Sequence, residues 1–391
     1  MYRIQLLNQI SRKGTDRFAR ERYELGGQVE APDAILLRSH KLAVSELGAN
    51  LKAVARAGAG VNNIPVSVLS ERGIPVFNTP GANANAVKEL VLCAMLLASR
   101  GIVPGLRYVE TLAGMTDVAA LNATLEQEKK RFAGQELAGR TLGVVGLGAI
   151  GSRLTDAALH LGMTVLGYDP ALSVEAAWRV PNQVQKMDNL ASLLARSDYV
   201  SLHVPLLENT RNLLREETLA YCKKGAVLLN FAREGVVDES AVVKFLDSGY
   251  LRQYVADFPH PLLMGRSDVL LLPHLGASTL EAEENCAVMA ADQLIDYLET
   301  GNIRNSVNFP TLVLERNGGC RLAFSNRNVP KILGKVLSLL ADHNLNVLDM
   351  LNKSRDEIAY NLIDVECEIP PALLPAIRAV EGVIDLRVIP G

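Results

Sequence analysis

The chain has 391 residues, of which 49% are hydrophobic and 21% charged, with a formal net charge of -3. At that length one core gives way to two or three, and the mild negative balance offers no footing for nucleic acid or an anionic membrane. The longest uninterrupted apolar run, nine residues at 90–98, is too short to span a bilayer, and the N-terminus lacks a signal peptide's long apolar core, so a cytoplasmic protein is expected. The five cysteines are odd in number, scattered and without a C-x-x-C pair, so neither a disulfide framework nor a zinc site is expected.

Taken in chain order, "YRIQLLN", "AILLRS", "LKAVARAG" and "IPVFNT" read as strands in the first eighty residues, followed by a long helix over 84–99. Residues 111–140 are polar and charged with few periodic apolar positions, which predicts surface loop or helix. From 141 onward, "TLGVVG", "MTVLGYD", "YVSLHVP", "AVLLNFA", "QYVADF" and "VLLLPH" are apolar strands. They alternate with helical stretches at 152–162, 188–198 and 238–249. Such alternation, with unbroken apolar strands, predicts a parallel sheet covered on both faces. Residues 279–300 form a further long helix that returns to the first unit. After "NSVNFP" the chain reads strand, helix, strand, strand, helix, strand, the ferredoxin-like βαββαβ plan. The expected division is 1–98 and 281–312 for one α/β domain, 99–280 for a nucleotide-binding α/β domain, and 318–391 for the small C-terminal domain.

"GLGAIG" places Gly146, Gly148 and Gly151 between a strand and a helix, with Ala149 and Ile150 inside the loop and Asp169 ending the next strand. The glycines permit a tight turn, close approach of a pyrophosphate and close helix packing, while the helix N-terminus favours negative charge. Asp169 is suited to hydrogen-bond an adenosine ribose, and Pro170 and Ala171 after it provide no cation for a 2′-phosphate, so the expected cofactor is NAD rather than NADP. "RAGAGVNN" at 56–63 lacks the third glycine and reads as a turn.

Polar groups recur where later strands end, at His203-Val204-Pro205, Arg233, Asp257, His260 and His274. A histidine near its ordinary pKa can take a hydroxyl proton, and an arginine fork can grip a carboxylate in two parallel bonds. In the first unit "LLRSHK" supplies Arg38, His40 and Lys41 after one strand, and Arg56 follows the next.

"GLGAIGSRL", "HVPLLENTRNLL", "NFAREGVVDE" and "PHLGAST" together resemble the D-isomer-specific 2-hydroxyacid dehydrogenase family over nearly all of residues 1–312, and the last seventy residues resemble an ACT regulatory domain. The resemblance implies a Rossmann NAD domain, a flavodoxin-like substrate domain and an ACT-like tail. The combination points to the branch that oxidises 3-phosphoglycerate to 3-phosphohydroxypyruvate, the first step of phosphorylated serine biosynthesis. Position by position it implies Arg233 as the substrate-binding arginine of N-x-x-R-G and His274 as the acid/base of P-H-x-G. It also implies that His203, Val204, Pro205, Ala232, Asp257 and Gly276 join the cofactor site, and that Arg38, Ser39, His40, Arg56, Ala57, Gly58 and Asn78 meet the substrate. Asn328 and Asn346 match positions that hold an L-serine effector, although Lys331 stands where glycine is usual. A homodimer or homotetramer is the expected assembly.

The family's glutamate that orients the histidine is missing, since no glutamate occurs between Glu239 and Glu281. Asp257, or a backbone carbonyl, is expected to take that role. Two other functions compete: a glyoxylate or hydroxypyruvate reductase, which the ACT-like tail argues against, and a non-catalytic NADH-binding scaffold, for which Arg233 and His274 are superfluous.

Overall fold

Short apolar segments build the first sheet of the computed structural model, which describes residues 1–391 apart from the side chain of residue 175. Its strands are β1 (Tyr2–Leu7), β2 (Tyr23–Gly26), β3 (Ala34–Leu37), β4 (Ala53–Arg56) and β5 (Val76–Phe77). All are parallel, in the order β2-β1-β3-β4-β5, the flavodoxin-like order. Alternate residues face opposite layers, so Ile35, Leu37, Val54 and Val76 pack on Leu42, Leu51 and Leu69, while Ala34, Leu36, Ala53 and Ala55 face the other way.

Residues Ala84–Thr279 form a second compact unit. Its strands are β6 (Thr141–Val145), β7 (Thr164–Tyr168), β8 (Gln185–Lys186), β9 (Tyr199–Leu202), β10 (Ala226–Asn230), β11 (Leu251–Ala256) and β12 (Val269–Leu271). They form one parallel sheet in the order β12-β11-β10-β9-β6-β7-β8, with the winding reversed between β6 and β9. This is the doubly wound nucleotide-binding arrangement, and its cleft-forming reversal lies beside the glycine turn that follows β6. One face is covered by the helices Ala84–Ser99 and Ala149–His160 through Val91, Met95, Leu154 and Ala158, and the other by Leu193, Leu194, Val242 and Leu246. The polar stretch before β6 contains the helices Ile102–Thr111 and Val118–Glu128, neither of which has a buried residue.

The helix Leu280–Thr300 belongs with the first sheet, burying Ala290, Leu294 and Leu298 against the Ala34, Leu36 and Ala55 layer. The C-terminal segment adds β13 (Cys320–Arg327), β14 (Val347–Arg355), β15 (Ile358–Val365) and β16 (Val383–Ile389), antiparallel in the order β14-β15-β13-β16. One face carries its two helices through Leu322, Phe324, Val336, Leu340 and Ile377. The other, through Ala323, Tyr360 and Leu362, joins the core under Leu280–Thr300. No helix among the described residues is long and apolar enough to cross a membrane.

Arg321 and Asp364 pair at 2.6 Å on that docked face, both fully buried, and the guanidinium also donates to the carbonyls of Thr300, Leu314 and Glu315. Its hydrogen bonds are therefore divided between Asp364 in the same sheet and the preceding segment, which they fasten to that sheet. Asp364→Ala leaves an uncompensated buried cation and should cost about 3–5 kcal/mol by denaturant titration. The double variant Arg321→Met/Asp364→Leu should recover most of that loss.

Candidate active site

The turn after β6 is held by Gly146, whose φ of +94° is in the left-handed region and whose N–H donates to Tyr168 O at 2.9 Å. A side chain there would come within 2.5 Å of His203 O, and one at Gly151 would run into the Gly146 carbonyl. Both glycines are demanded by the protein's own packing. Gly148 is different, because a Cβ there would meet nothing within 4 Å. It opens the helix Ala149–His160, whose first-turn N–H groups at Ala149, Ile150 and Gly151 lack helical acceptors. The loop therefore fits a pyrophosphate that comes close to the backbone at Gly148. Asp169 ties this loop to the end of β7, accepting from Leu147 N and Ala171 N, each at 2.9 Å.

His203 follows β9. Its Nε2 pairs with Ser201 Oγ at 2.8 Å, its Nδ1 is buried without a partner, and burial lowers its pKa to about 3. It is neutral near physiological pH and unsuited to proton transfer. Val204 is half-buried and Pro205 exposed beside it.

The turn after β10 is shaped by Asn230, only 1% exposed, whose side chain accepts from Ala232 N and donates to Arg233 O, both at 3.1 Å. Arg233 is exposed, and its Nη1 donates to the carbonyl of buried Ala232 at 2.7 Å. The Asn230 carbonyl also accepts from Asp257 N at 3.1 Å, linking this turn to the end of β11.

The Asp257 carboxylate accepts Leu275 N and Gly276 N, each at 2.7 Å, and its backbone carbonyl accepts His274 N at 3.1 Å. Burial raises the Asp257 pKa, opposed by those backbone N–H groups and by nearby His274. The expectation that Asp257 orients the imidazole thus takes another form, since both carboxylate oxygens are engaged by the backbone of the loop rather than by the ring. The His274 ring packs instead on Phe258, centroids 5.0 Å apart. His274 is exposed and has a φ of +58°, a left-handed conformation that costs a non-glycine residue about 1–2 kcal/mol and is held here by the Asp257 bonds. Arg233 and His274 follow β10 and β12, strands two positions apart whose axes are about 10 Å apart, at the carboxyl edge of one sheet.

In the first unit, the candidate substrate residues share the carboxyl edge of the other sheet. Arg38, Ser39 and His40 follow β3, Arg56, Ala57 and Gly58 lie at the end of β4, and Asn78 follows β5. Asn8 Oδ1 accepts the N–H groups of Ser39 and His40, Arg56 Nε donates to Arg38 O at 2.8 Å, and Asn78 Nδ2 donates to Ala59 O at 2.6 Å. Two acids missed in the sequence complete the group: Glu283 pairs with Arg38 at 2.6 Å, and Glu46 with His40 at 2.9 Å. The acid-rich start of the helix after residue 279 was the available signal for Glu283. For Asn230 the signal was an amide at the end of an otherwise apolar strand.

Asn328 and Asn346 are not brought together. Asn328 follows the carboxyl end of β13 and bonds Asp356 O at 3.1 Å, whereas Asn346 precedes β14 and bonds Glu366 at 3.2 Å, at the opposite end of the sheet. A small effector touching both would have to draw them from two copies of the chain. Lys331 keeps the left-handed backbone, φ +78°, that glycine would adopt more easily.

The glycines yield a direct test. Gly151→Ala should lose about 1–3 kcal/mol of stability in thermal or chemical denaturation, because the helix must move away from the turn. Gly148→Ala should leave the unliganded protein within about 0.5 kcal/mol of its parent while weakening NAD binding at least tenfold by fluorescence titration.

Residues 93–276 match the family model for "D-isomer specific 2-hydroxyacid dehydrogenase, NAD binding domain". The chain is 34% identical to D-3-phosphoglycerate dehydrogenase of Haemophilus influenzae over 365 residues, covering 90% of this chain and 85% of the relative. It is 33% identical to the enzyme of the same name from Escherichia coli, covering 84% and 79%. Some relatives are longer, the chain spanning 61% of the Methanocaldococcus jannaschii one. Among solved structures, the TT0316 protein of Thermus thermophilus superposes with a TM-score of 0.62 at 29% identity, over 78% of this chain and 99% of that one. The NAD+-bound 3-phosphoglycerate dehydrogenase of Entamoeba histolytica, at 23% identity and a TM-score of 0.60, shares the fold over 80% of this chain and 99% of its own. With the glycine turn, the switch-point sheet and these relatives together, the chain belongs to the D-isomer-specific 2-hydroxyacid dehydrogenase family, whose members of this type are NAD-dependent oxidoreductases.

Proposed function

We propose that the chain oxidises 3-phosphoglycerate at C2 to 3-phosphohydroxypyruvate, the entry step to phosphorylated serine synthesis. His274 takes the C2 hydroxyl proton as the carbonyl forms, and Arg233 grips the neighbouring carboxylate and polarises the reacting oxygen. Gly146, Gly148, the first turn of Ala149–His160 and Asp169 would hold NAD, which would supply the hydride acceptor for C2. Arg38 and Arg56 hold the phosphate. The observation that carries this reading is the pair of arginines at the ends of β3 and β4, cations that an unphosphorylated hydroxyacid does not require. The similarity to enzymes named for this substrate supports it.

A second reading, reduction of glyoxylate or hydroxypyruvate, draws support from Glu283 and Glu46, which offset charge beside Arg38 and His40. The test is a substrate panel. NADH formation with 3-phosphoglycerate should exceed that with unphosphorylated 2-hydroxyacids, provided the product is drained. Arg38→Ala and Arg56→Ala should raise KM for phosphohydroxypyruvate by roughly 10- to 100-fold, the loss of one charge-assisted hydrogen bond, with little change for glyoxylate. Equal effects on both substrates would favour the reductase. Arg233→Gln should impair every 2-hydroxyacid alike.

A further inference from the structure

Proton transfer by His274 needs more than a placed backbone, because the imidazole turns about two side-chain bonds and each turn redirects its nitrogens. The Asp257 bonds fix the loop and not the ring. Both carboxylate oxygens are taken by Leu275 N and Gly276 N, and no group among the described residues hydrogen-bonds the His274 ring. The residue is exposed, so its rotamers are not selected by burial. What the imidazole does meet is the ring of Phe258, at a centroid distance of 5.0 Å and an interplanar angle of 58°. Those values are within the range of favourable tilted aromatic pairs.

Phe258 is itself well anchored. It directly follows Asp257, which is 2% exposed, and precedes Pro259, which disfavours the helical region for the residue before it. Five residues on, Leu263 is buried in the core of this unit, and the turn leading to it is closed by Leu263 N on His260 O at 2.9 Å and by Leu262 N on His260 Nδ1 at 3.3 Å. The segment 257–263 is thus tied down at both ends. The half-buried Phe258 ring is a restrained surface on which the exposed imidazole rests.

We infer that Phe258 is a positioning residue for the oxidation, its ring holding the His274 imidazole in one orientation, a task that a carboxylate bonded to a ring nitrogen would otherwise perform. Within one dipeptide, Asp257 sets the backbone of His274 and Phe258 sets its ring. An apolar wall restrains rotation without occupying either nitrogen, so both stay available to a hydroxyl or to water. The inference rests on the reading of His274 as the proton carrier.

The experiment couples NMR of the full chain saturated with NADH to a double-variant cycle in oxidation kinetics. The chain has six histidines, so selective ring labelling gives few signals, and the one lost in His274→Gln identifies the residue. The expected spectra show cross-relaxation between the His274 and Phe258 ring protons and side-chain couplings of a single His274 rotamer, which become averaged in Phe258→Leu. Phe258→Leu should lower kcat roughly 2- to 10-fold, the worth of one aromatic pair, with KM for the hydroxyacid and for NAD kept within about twofold. Phe258→Tyr, which keeps the ring, should restore the rate. In a His274→Gln background Phe258→Leu should cost nothing further, whereas a residue that merely supports the loop would lower both rates alike. If Phe258→Leu fails to fold, Phe258→Met, also apolar and without a ring, takes its place. With His274→Gln impaired, the inference alone is overturned by averaged couplings already in the parent, by an unchanged kcat in the ringless variant, or by equal losses in the two backgrounds. A His274→Gln variant that keeps the parent's rate overturns the proton-carrier reading, and the inference with it.

Discussion

A short hydrogen-bond relay between Asn230 and Asp257 determines where the two principal polar groups of the nucleotide-binding unit stand. The Asn230 side chain closes the turn that presents Arg233, its carbonyl receives Asp257 N, and the Asp257 carboxylate fixes Leu275 and Gly276, the residues that follow His274. Both residues are almost wholly buried. Their bonds are therefore made away from competing water, where leaving any one of them unsatisfied is costly. The relay also offsets the left-handed backbone of His274, which no local preference favours. The Asp257 carboxylate makes no hydrogen bond to the imidazole, which packs on the apolar ring of Phe258.

Sheet geometry does the rest. Seven strands in one direction bring every carboxyl end to one edge, and the reversal between β6 and β9 leaves room there for a dinucleotide. The same principle operates in the flavodoxin-like sheet, where the ends of β3, β4 and β5 collect Arg38, Arg56 and Asn78. At that second edge the cations already have partners in Glu283 and in the backbone of their neighbours. On the proposed reading, an incoming phosphate would exchange these contacts for its own, and discrimination by charge would be sharper than the number of arginines alone suggests, since a neutral group gains nothing from the exchange.

Much of this was legible in the sequence, for identifiable reasons. Strands buried on both faces of a parallel sheet are apolar throughout, so β6, β7, β9, β10, β11 and β12 stood out as runs, and the βαββαβ tail showed its plan in the same manner. β2 and β8 did not. Tyr23–Gly26 and Gln185–Lys186 are too short to show a period, and their conformation is imposed by the neighbour each pairs with. The glycine turn was readable because its motif is local. The distinction between Gly148, open to a ligand, and Gly146 and Gly151, enforced by packing, required coordinates. Long-range pairings escaped for the same reason: Arg38 meets Glu283 across 245 positions of chain, and nothing local in either segment announces the other. Asn328 and Asn346 looked like companions through resemblance, yet antiparallel pairing sends them to opposite ends of their sheet.

The central claim, that an exposed imidazole placed by the Asn230–Asp257 relay carries the proton of the reaction, is tested most directly by the pH dependence of kcat/KM for 2-hydroxyacid oxidation in the parent and in His274→Gln. The account predicts an acid limb in the parent, where a group that must be unprotonated becomes charged. That limb should vanish in the variant along with roughly 10²–10⁴-fold of the rate. A variant that kept the acid limb and most of its rate would contradict the account.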